Sequence, residues 1–319
     1  MQALLDAIAH MPPPGGAQRI FHGRGGRFAG CEQWTLDSYP PAFVLTSFAP
    51  ATPAQLAQVE AALQACWARW GFASNPDTPL TWVYQERGQA LRLQGESSTQ
   101  LMAGRLPEPH VVCEDGARYR VQLLKGQNHG LFLDMAAGRR WVRAQVAQGC
   151  AQTGQGPKVL NLFAYSCAFS VAALQAGARQ VVNVDMARGA IALGQHNHQL
   201  NALQGASFLA HDIFSTWGKI TRGGPYGLVI IDPPSYQKGS FVATKDYARL
   251  LRRLPELLAP GGYALLCLNA PELDSAFLHA QMQTQAPGLR FVERVANPAV
   301  FADVDEERAL KVLVYQAPA

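Results

Sequence analysis

The sequence predicts an α/β protein: a mostly parallel, doubly wound sheet in the second half, preceded by a small α+β domain. Three observations carry this. From about Leu131 onward, short apolar runs alternate with stretches of helical spacing, the pattern of parallel strands joined by helices. Several of these runs are followed within a few residues by an aspartate. One of them, Leu228-Val229-Ile230-Ile231, meets Asp232-Pro233-Pro234-Ser235-Tyr236, and two prolines without N–H groups cannot continue a central strand. The chain must leave the sheet there, at a strand's carboxyl end, which is where open α/β sheets bind ligands.

Taken in order, residues 1–17 end in Pro12-Pro13-Pro14-Gly15-Gly16 and read as a short helix and linker. Residues 18–126 form the small α+β domain, a candidate for RNA or substrate recognition. Ala42–Thr46 is strand-like. Thr52-Pro53 supplies an N-cap and a first-turn proline, and Leu56, Val59, Leu63, Cys66, Trp67 and Trp70 follow at helical spacing up to Gly71. That stripe is read as core. Further strands fit Leu80–Tyr84, Ala90–Leu93 and Tyr119–Leu124. Residues 127–319 form the parallel-sheet domain, with strands at Lys158–Leu162, Val181–Val184, Ser207–Leu209, Leu228–Ile231 and Tyr263–Leu268.

The chain has 319 residues, 48% hydrophobic and 16% charged, so it can bury sizeable cores and is not disordered. A formal net charge of +4 is compatible with nucleic acid without demonstrating it. The six cysteines form no CxxC pair, and His196 and His198 lie two apart, pointing in different directions on a helix. A cytosolic protein with reduced thiols and no metal is expected. No signal-peptide pattern and no membrane-length apolar run is present, so a cytoplasmic location without membrane attachment is expected; oligomeric state is left open.

Four strand ends carry ligand-type groups: the turn Asn161–Ala168, then Asp185, Asp212 and Asp232. A carboxylate at the second strand's end suits a ribose diol, one at the third an adenine amino group, and an acid with prolines and an aromatic ring suits a flat, nitrogen-bearing substrate. Beyond Asp232, Lys238, Lys245, Arg249, Arg252 and Arg253 cluster. The last three lie about one helical turn apart and are expected to share a face that could grip phosphates. Arg19, Arg24 and Arg27 with His22 and Phe28 are a second such group.

These residues resemble the class I S-adenosylmethionine-dependent methyltransferases, with their Rossmann-like fold. More narrowly, the chain is similar to bacterial large-subunit (23S) ribosomal RNA methyltransferases acting on cytosine C5 or guanine N7. The matching segments are Gly130–Asp134, Val159–Tyr165, Val182–Asp185, Asn197–Asn201 and Asp232-Pro233-Pro234, with Phe21–Asp37 and Trp82–Gly95 upstream. The likeness covers roughly residues 19–316, and nothing resembles the PUA module of the cytosine branch. The resemblance implies S-adenosylmethionine as methyl donor, S-adenosylhomocysteine as product and ribosomal RNA as partner. It implies that Phe132 and Asp134 close over the cofactor and that Asn161, Phe163 and Tyr165 line its methionine end. Asp185, with Met186 beside it, would hold the ribose, and Asp212 and Ile213 the adenine. Asp232, Pro233 and Tyr236 would frame the target base, with Asn269 completing the catalytic set.

Two departures bear on this. Cys167-Ala168 stand where the family carries glycine, and a side chain there is expected to crowd the cofactor. Met135-Ala136 stand where the family carries Gln-Arg, with Arg139 or Arg140 as candidate replacements. The cytosine branch needs a cysteine nucleophile where Asn269 stands, and Cys267 lies within a strand. Asparagine there resembles the guanine-N7 branch, so N-methylation is favoured. Competing readings are a methyltransferase for a small molecule or protein, and a non-catalytic RNA-binding protein on the same fold.

Overall fold

A computed structural model describes residues 1–72, 78–88, 98–234, 236, 237 and 241–319. The expected strand Ala90–Leu93 lies outside the described residues, as do Ser235 and Lys238. The chain forms two compact units: Met1–Asp134 with Pro298–Val304, and Met135–Asn297 with Asp305–Ala319.

The first unit opens with helix α1 (Gln2–His10) and strands β1 (Gln18–His22), β2 (Trp34–Tyr39) and β3 (Ala42–Ser47). Helix α2 (Pro53–Arg69) leads to β4 (Thr81–Glu86) and β5 (Ser98–Ala103), and the hairpin β6 (His110–Glu114) and β7 (Ala117–Val121) follows. The sheet order is β1-β2-β3-β4-β5, antiparallel except for the β3–β4 pair that α2 joins. Helix α2 starts as its sequence requires. The Thr52 hydroxyl accepts from Gln55 N at 3.2 Å, and the Gln55 amide accepts from Thr52 N at 2.9 Å. Its stripe Val59, Leu63, Cys66 and Trp67 packs with Leu4, Ile8, Phe43, Leu45 and Trp82, so those tryptophans belong to the core. The last expected strand ends at Val121 rather than Leu124, because Gln122 N already turns to His129 O at 3.0 Å.

Inside this unit, Arg19 forms a two-pronged ion pair with Asp37. The third guanidinium nitrogen reaches His22 Nδ1 at 2.7 Å, and the guanidinium lies 4.8 Å from the Phe301 ring centre. Segment Pro298–Val304 joins the unit through that ring and through Val304 N bonding Gly25 O at 2.9 Å. Gly25 admits this approach because a Cβ there would stand 2.3 Å from Ala302 O. Burial, then the charges of Arg19 and Arg24, push His22 down to about 4. Unfolded, the ring takes its proton near pH 6.5, while the folded state refuses it until about pH 4. The stability this confers is present above pH 6.5 and lost as pH falls toward 4. It amounts to at most about 3 kcal/mol, less because the ring is partly exposed. The expected result is that His22→Gln flattens the acid limb of a stability–pH profile measured by urea unfolding; an unchanged limb would refute it.

The second unit runs from α3 (Ala136–Thr153) through β8 (Lys158–Leu162), α4 (Ala168–Gln175), β9 (Gln180–Val184), α5 (Arg188–Leu200) and β10 (Ala206–Leu209). It continues through α6 (Trp217–Gly223), β11 (Tyr226–Ile231) and the small hairpin β12 (Tyr236–Gln237) and β13 (Phe241–Val242). After α7 (Ala243–Leu251), α8 (Leu254–Leu257) and β14 (Leu258–Leu268), it closes with α9 (Ser275–Gln285), β15 (Arg290–Arg294) and β16 (Lys311–Gln316). The order is β10-β9-β8-β11-β14-β16-β15. All five expected strands are present and run parallel; β15 and β16 add an antiparallel edge. Alternate residues face opposite sides. Leu160, Leu162, Val229, Ile231 and Leu266 pack beneath α7, α8 and α9, and Val159, Leu228, Ile230 and Leu265 beneath α3 and α4. Chain order reverses between β8 and β11, the switch point at which ligand crevices open. Among the described residues no helix is long and apolar enough to cross a membrane.

Candidate functional site

Register aligns the strand ends. Leu162 stands beside Val184 and Ile231, and Val184 beside Leu209. The next residues, Phe163, Asp185, Ala210 and Asp232, therefore leave the sheet side by side. The structure thus brings together the turn after Asn161, Asp185, the Asp212 loop and Asp232, as the sequence pattern requires.

The turn after β8 has an unusual backbone. Phe163, Tyr165 and Cys167 all have positive φ, at 57°, 44° and 58°. Non-glycine residues held there cost about 1–3 kcal/mol each and need outside support. Tyr165 N donates to Asp185 Oδ2 at 2.9 Å, Ala164 N to Val184 O at 3.1 Å, and the Asn197 amide to Ser166 O at 2.9 Å. The other oxygen of Asp185 accepts from Ala187 N at 2.8 Å, fixing the entry to α5. One carboxylate therefore ties two loops of the site. Asn197, fully buried, is a supporting residue whose role the sequence reading missed.

Cys167 corrects an expectation. Its side chain is fully buried in a small cluster with Ala164 and Ile191. Gly194 makes the room, since a Cβ there would stand 2.3 Å from Cys167 Sγ. The thiol is absorbed under α5 instead of crowding the turn. Burial, and then the nearby Asp185 charge, push its pKa up, so it stays a neutral thiol. Phe163 also has a packing role: its ring meets Phe241 edge-on at 5.3 Å, and Phe241 meets Tyr247 at 5.5 Å. That contact joins the loops flanking the switch point. Tyr247 in turn donates to Cys267 O.

Asn161 is 1% exposed. Its amide nitrogen donates to Asn183 Oδ1 at 2.9 Å, while its Oδ1 is buried without a hydrogen-bond partner. Met186 stands open beside Asp185, 49% exposed, and Ile213 is buried. Asp212 is exposed and accepts from Phe214 N at 3.1 Å, capping a single turn. Asp232 is half-buried and Pro233 buried. The Tyr236 side chain lies outside what the structure describes. Cys267 is fully buried among Leu265 and Val312, whereas Asn269 is exposed just past β14. Phe132, 41% exposed, and Asp134, half-buried, fold with the first unit, where Leu131 O accepts from Tyr39 Oη at 3.3 Å. Arg139 is buried in α3 and Arg140 is exposed.

The basic cluster needs correction. Arg249 pairs with Asp246 at 2.9 Å and stacks 3.7 Å from the Phe214 ring centre. Arg253 pairs with Glu256 and lies 5.1 Å from the Trp217 ring centre. Arg252 turns instead to Gln285 at 3.0 Å. The three therefore do not share one open face: Arg249 and Arg253 lie over Phe214 and Trp217, whose ring centres are 6.4 Å apart, while Arg252 is turned toward α9. Lys245 is exposed. In the first unit Arg19 is half-buried and engaged by Asp37, while Arg24 lies 4.1 Å from the Phe48 ring centre and Arg27 and Phe28 are exposed.

A family model described as S-adenosylmethionine-dependent methyltransferase matches residues 18–316. The ribosomal RNA large subunit methyltransferase I of Aeromonas hydrophila is 30% identical over 193 residues, covering 57% of this chain and 47% of that protein. Its namesake in Serratia proteamaculans is 30% identical over 237 residues, covering 72% and 56%. The chain spans about half the length of the curated relatives it matches. Among solved structures, SMU.776, crystallised as a complex with SAH, is 25% identical with a TM-score of 0.77, covering 99% of this chain and 79% of that one.

Proposed function

This chain belongs to the S-adenosylmethionine-dependent methyltransferase family, and from that premise we propose that it methylates a base of large-subunit ribosomal RNA. The observation that carries the reading is the row of strand ends at the switch point, with the Asp185 carboxylate in it and the unpartnered Asn161 Oδ1 one residue inside the end of β8. These groups fit the cofactor. A buried acceptor without a partner suits the ammonium of its methionine end, and a loop-tied carboxylate suits a ribose diol. Met186 would stand beside Asp185 at the ribose, and Ile213 and Asp212 would take the adenine, the Asp212 carboxylate accepting from its amino group. When bound, S-adenosylmethionine supplies a methyl group on a sulfonium, open to in-line attack.

The chain's residues then orient and desolvate. Asp232 and the carbonyls of the proline turn accept N–H groups of the flipped base and hold its plane. Asn269, exposed just past β14, would stand beside that base. Attack by a ring nitrogen with a lone pair leaves no proton to remove and needs no covalent intermediate. The fully buried Cys267 is a poor nucleophile for the alternative C5 chemistry, which favours N-methylation. The substrate class rests on the relatives named as ribosomal RNA methyltransferases. The expected result is methyl transfer from labelled S-adenosylmethionine to large-subunit RNA extracted from a strain lacking this protein. RNA from the parent strain should stay unlabelled. Equal labelling of both, or of neither, would overturn the proposal.

A further inference from the structure

Behind Asn161 runs a buried chain of hydrogen bonds. Asn161 Nδ2 donates to Asn183 Oδ1 at 2.9 Å, and Asn183 Nδ2 donates to Ser170 Oγ at 3.0 Å. Ser170 Oγ lies 2.8 Å from His198 Nε2, and His198 Nδ1 lies 2.7 Å from Gly194 O. Asn183 and Ser170 are fully buried, and Asn161 and His198 nearly so. The His198 ring also meets Phe208 edge-on at 5.0 Å.

The direction of every bond follows from chemistry. Gly194 O is a carbonyl and can only accept, so His198 Nδ1 carries the proton. Burial lowers the pKa of this ring and opposes its charged form, so Nε2 is bare and accepts from the Ser170 hydroxyl. Ser170 Oγ then accepts from the Asn183 amide. A second carbonyl, Ser207 O, lies 3.3 Å from Asn183 Nδ2 and fixes that amide the same way round independently. Asn183 Oδ1 therefore faces Asn161, which must present N–H to it. What remains of the Asn161 amide is the oxygen without a partner. Two backbone carbonyls, one in α5 and one in β10, thus dictate the polarity of a side chain in β8.

We propose that His198, Ser170 and Asn183 are positioning residues that lock Asn161 as a hydrogen-bond acceptor, so that this point of the site selects a cationic amine. The inference rests on the reading of the site as one for S-adenosylmethionine, and is independent of which substrate receives the methyl group. Without the relay, the amide could turn its N–H groups toward an ammonium, which also only donates.

The test uses the full chain and two probes, S-adenosylhomocysteine and 5′-methylthioadenosine; the second lacks the amino-acid end. Asn183→Leu removes the partner of Asn161 at similar volume, and Ser170→Ala cuts the relay one step further back. Titration calorimetry is expected to show Asn183→Leu weakening S-adenosylhomocysteine by about tenfold, the loss of one charge-assisted hydrogen bond. Ser170→Ala should weaken it by a smaller factor, and 5′-methylthioadenosine should bind both variants as it binds wild type. Equal weakening of both probes would mean a merely structural role, and unchanged affinity for both would remove the relay; either result overturns the proposal. Wild-type protein that binds neither probe would overturn the cofactor reading itself, and the relay with it. Nitrogen NMR of His198 in wild type supplies a readout free of any folding defect in the variants. The Nδ1–H neutral tautomer is expected at pH 7, and an Nε2–H tautomer or an imidazolium would overturn the relay.

Discussion

Asp185→Ala is expected to weaken S-adenosylhomocysteine by at least about 100-fold in calorimetric titration. The magnitude follows from what the carboxylate holds. Its two oxygens accept from Tyr165 N and Ala187 N, and hydrogen bonds to a charged acceptor contribute about 1.5–3 kcal/mol each. The first of them supports a turn with three non-glycine residues at positive φ, a conformation that relaxes once its support is gone. The ribose would lose its acceptor at the same time. Asp185→Asn is a sharper probe. One amide oxygen still accepts, but the amide nitrogen now meets a backbone N–H, donor against donor, so about tenfold weakening is expected. Asp212→Ala is the contrasting control. That carboxylate caps only a single turn and is exposed, so a change of a few-fold is expected. Wild-type affinity in Asp185→Ala would remove this residue from the site.

The contrast between these aspartates shows what the sequence could convey. Each parallel strand was legible because it is a short apolar run, and three of those runs are followed closely by an acid; the capping box of α2 was legible because it is local. The functional pattern is likewise written at strand ends, where polar residues follow apolar ones. The support beneath it was not legible, because it is made across long separations. Cys167 looked like an obstruction until Gly194, 27 residues away, proved to receive its side chain. Asn183 read as an ordinary strand residue in Val-Val-Asn-Val, yet its amide bridges β8 to α4. An asparagine at matched positions of two adjoining apolar strands, Asn161 and Asn183, was the one available signal, because buried amides need partners. The outer strand of the antiparallel edge was missed for another reason. β15 is mostly exposed and carries an arginine at each end, so it has no apolar run to mark it. The basic residues on and after α7 misled because helical spacing assigns a face but does not show which side chains the rings and carboxylates around it already engage.

Arg19→Met is expected to destabilise the first unit by about 3–5 kcal/mol, read as a lower urea midpoint for that unit's transition. The argument is electrostatic. Burial opposes the Arg19 charge, but the Asp37 carboxylate and, further off, Asp134 more than offset it, so the pKa of Arg19 is raised. Asp37 is 7% exposed at its side chain and has both oxygens on the guanidinium. Removing the arginine leaves a buried carboxylate without its counter-charge, the circumstance in which broken ion pairs cost most. It also removes the N–H that holds His22 Nδ1 and the stacking on Phe301, so segment Pro298–Val304 loses one of its attachments. The pair itself is not expected to be worth that much. Its two members lose water on folding, and an apolar replacement of both avoids that loss. Arg19→Met with Asp37→Leu should therefore recover most of the stability lost by Arg19→Met alone. A double variant no more stable than the single one would show that the pair contributes through its own attraction and not through the cost of breaking it.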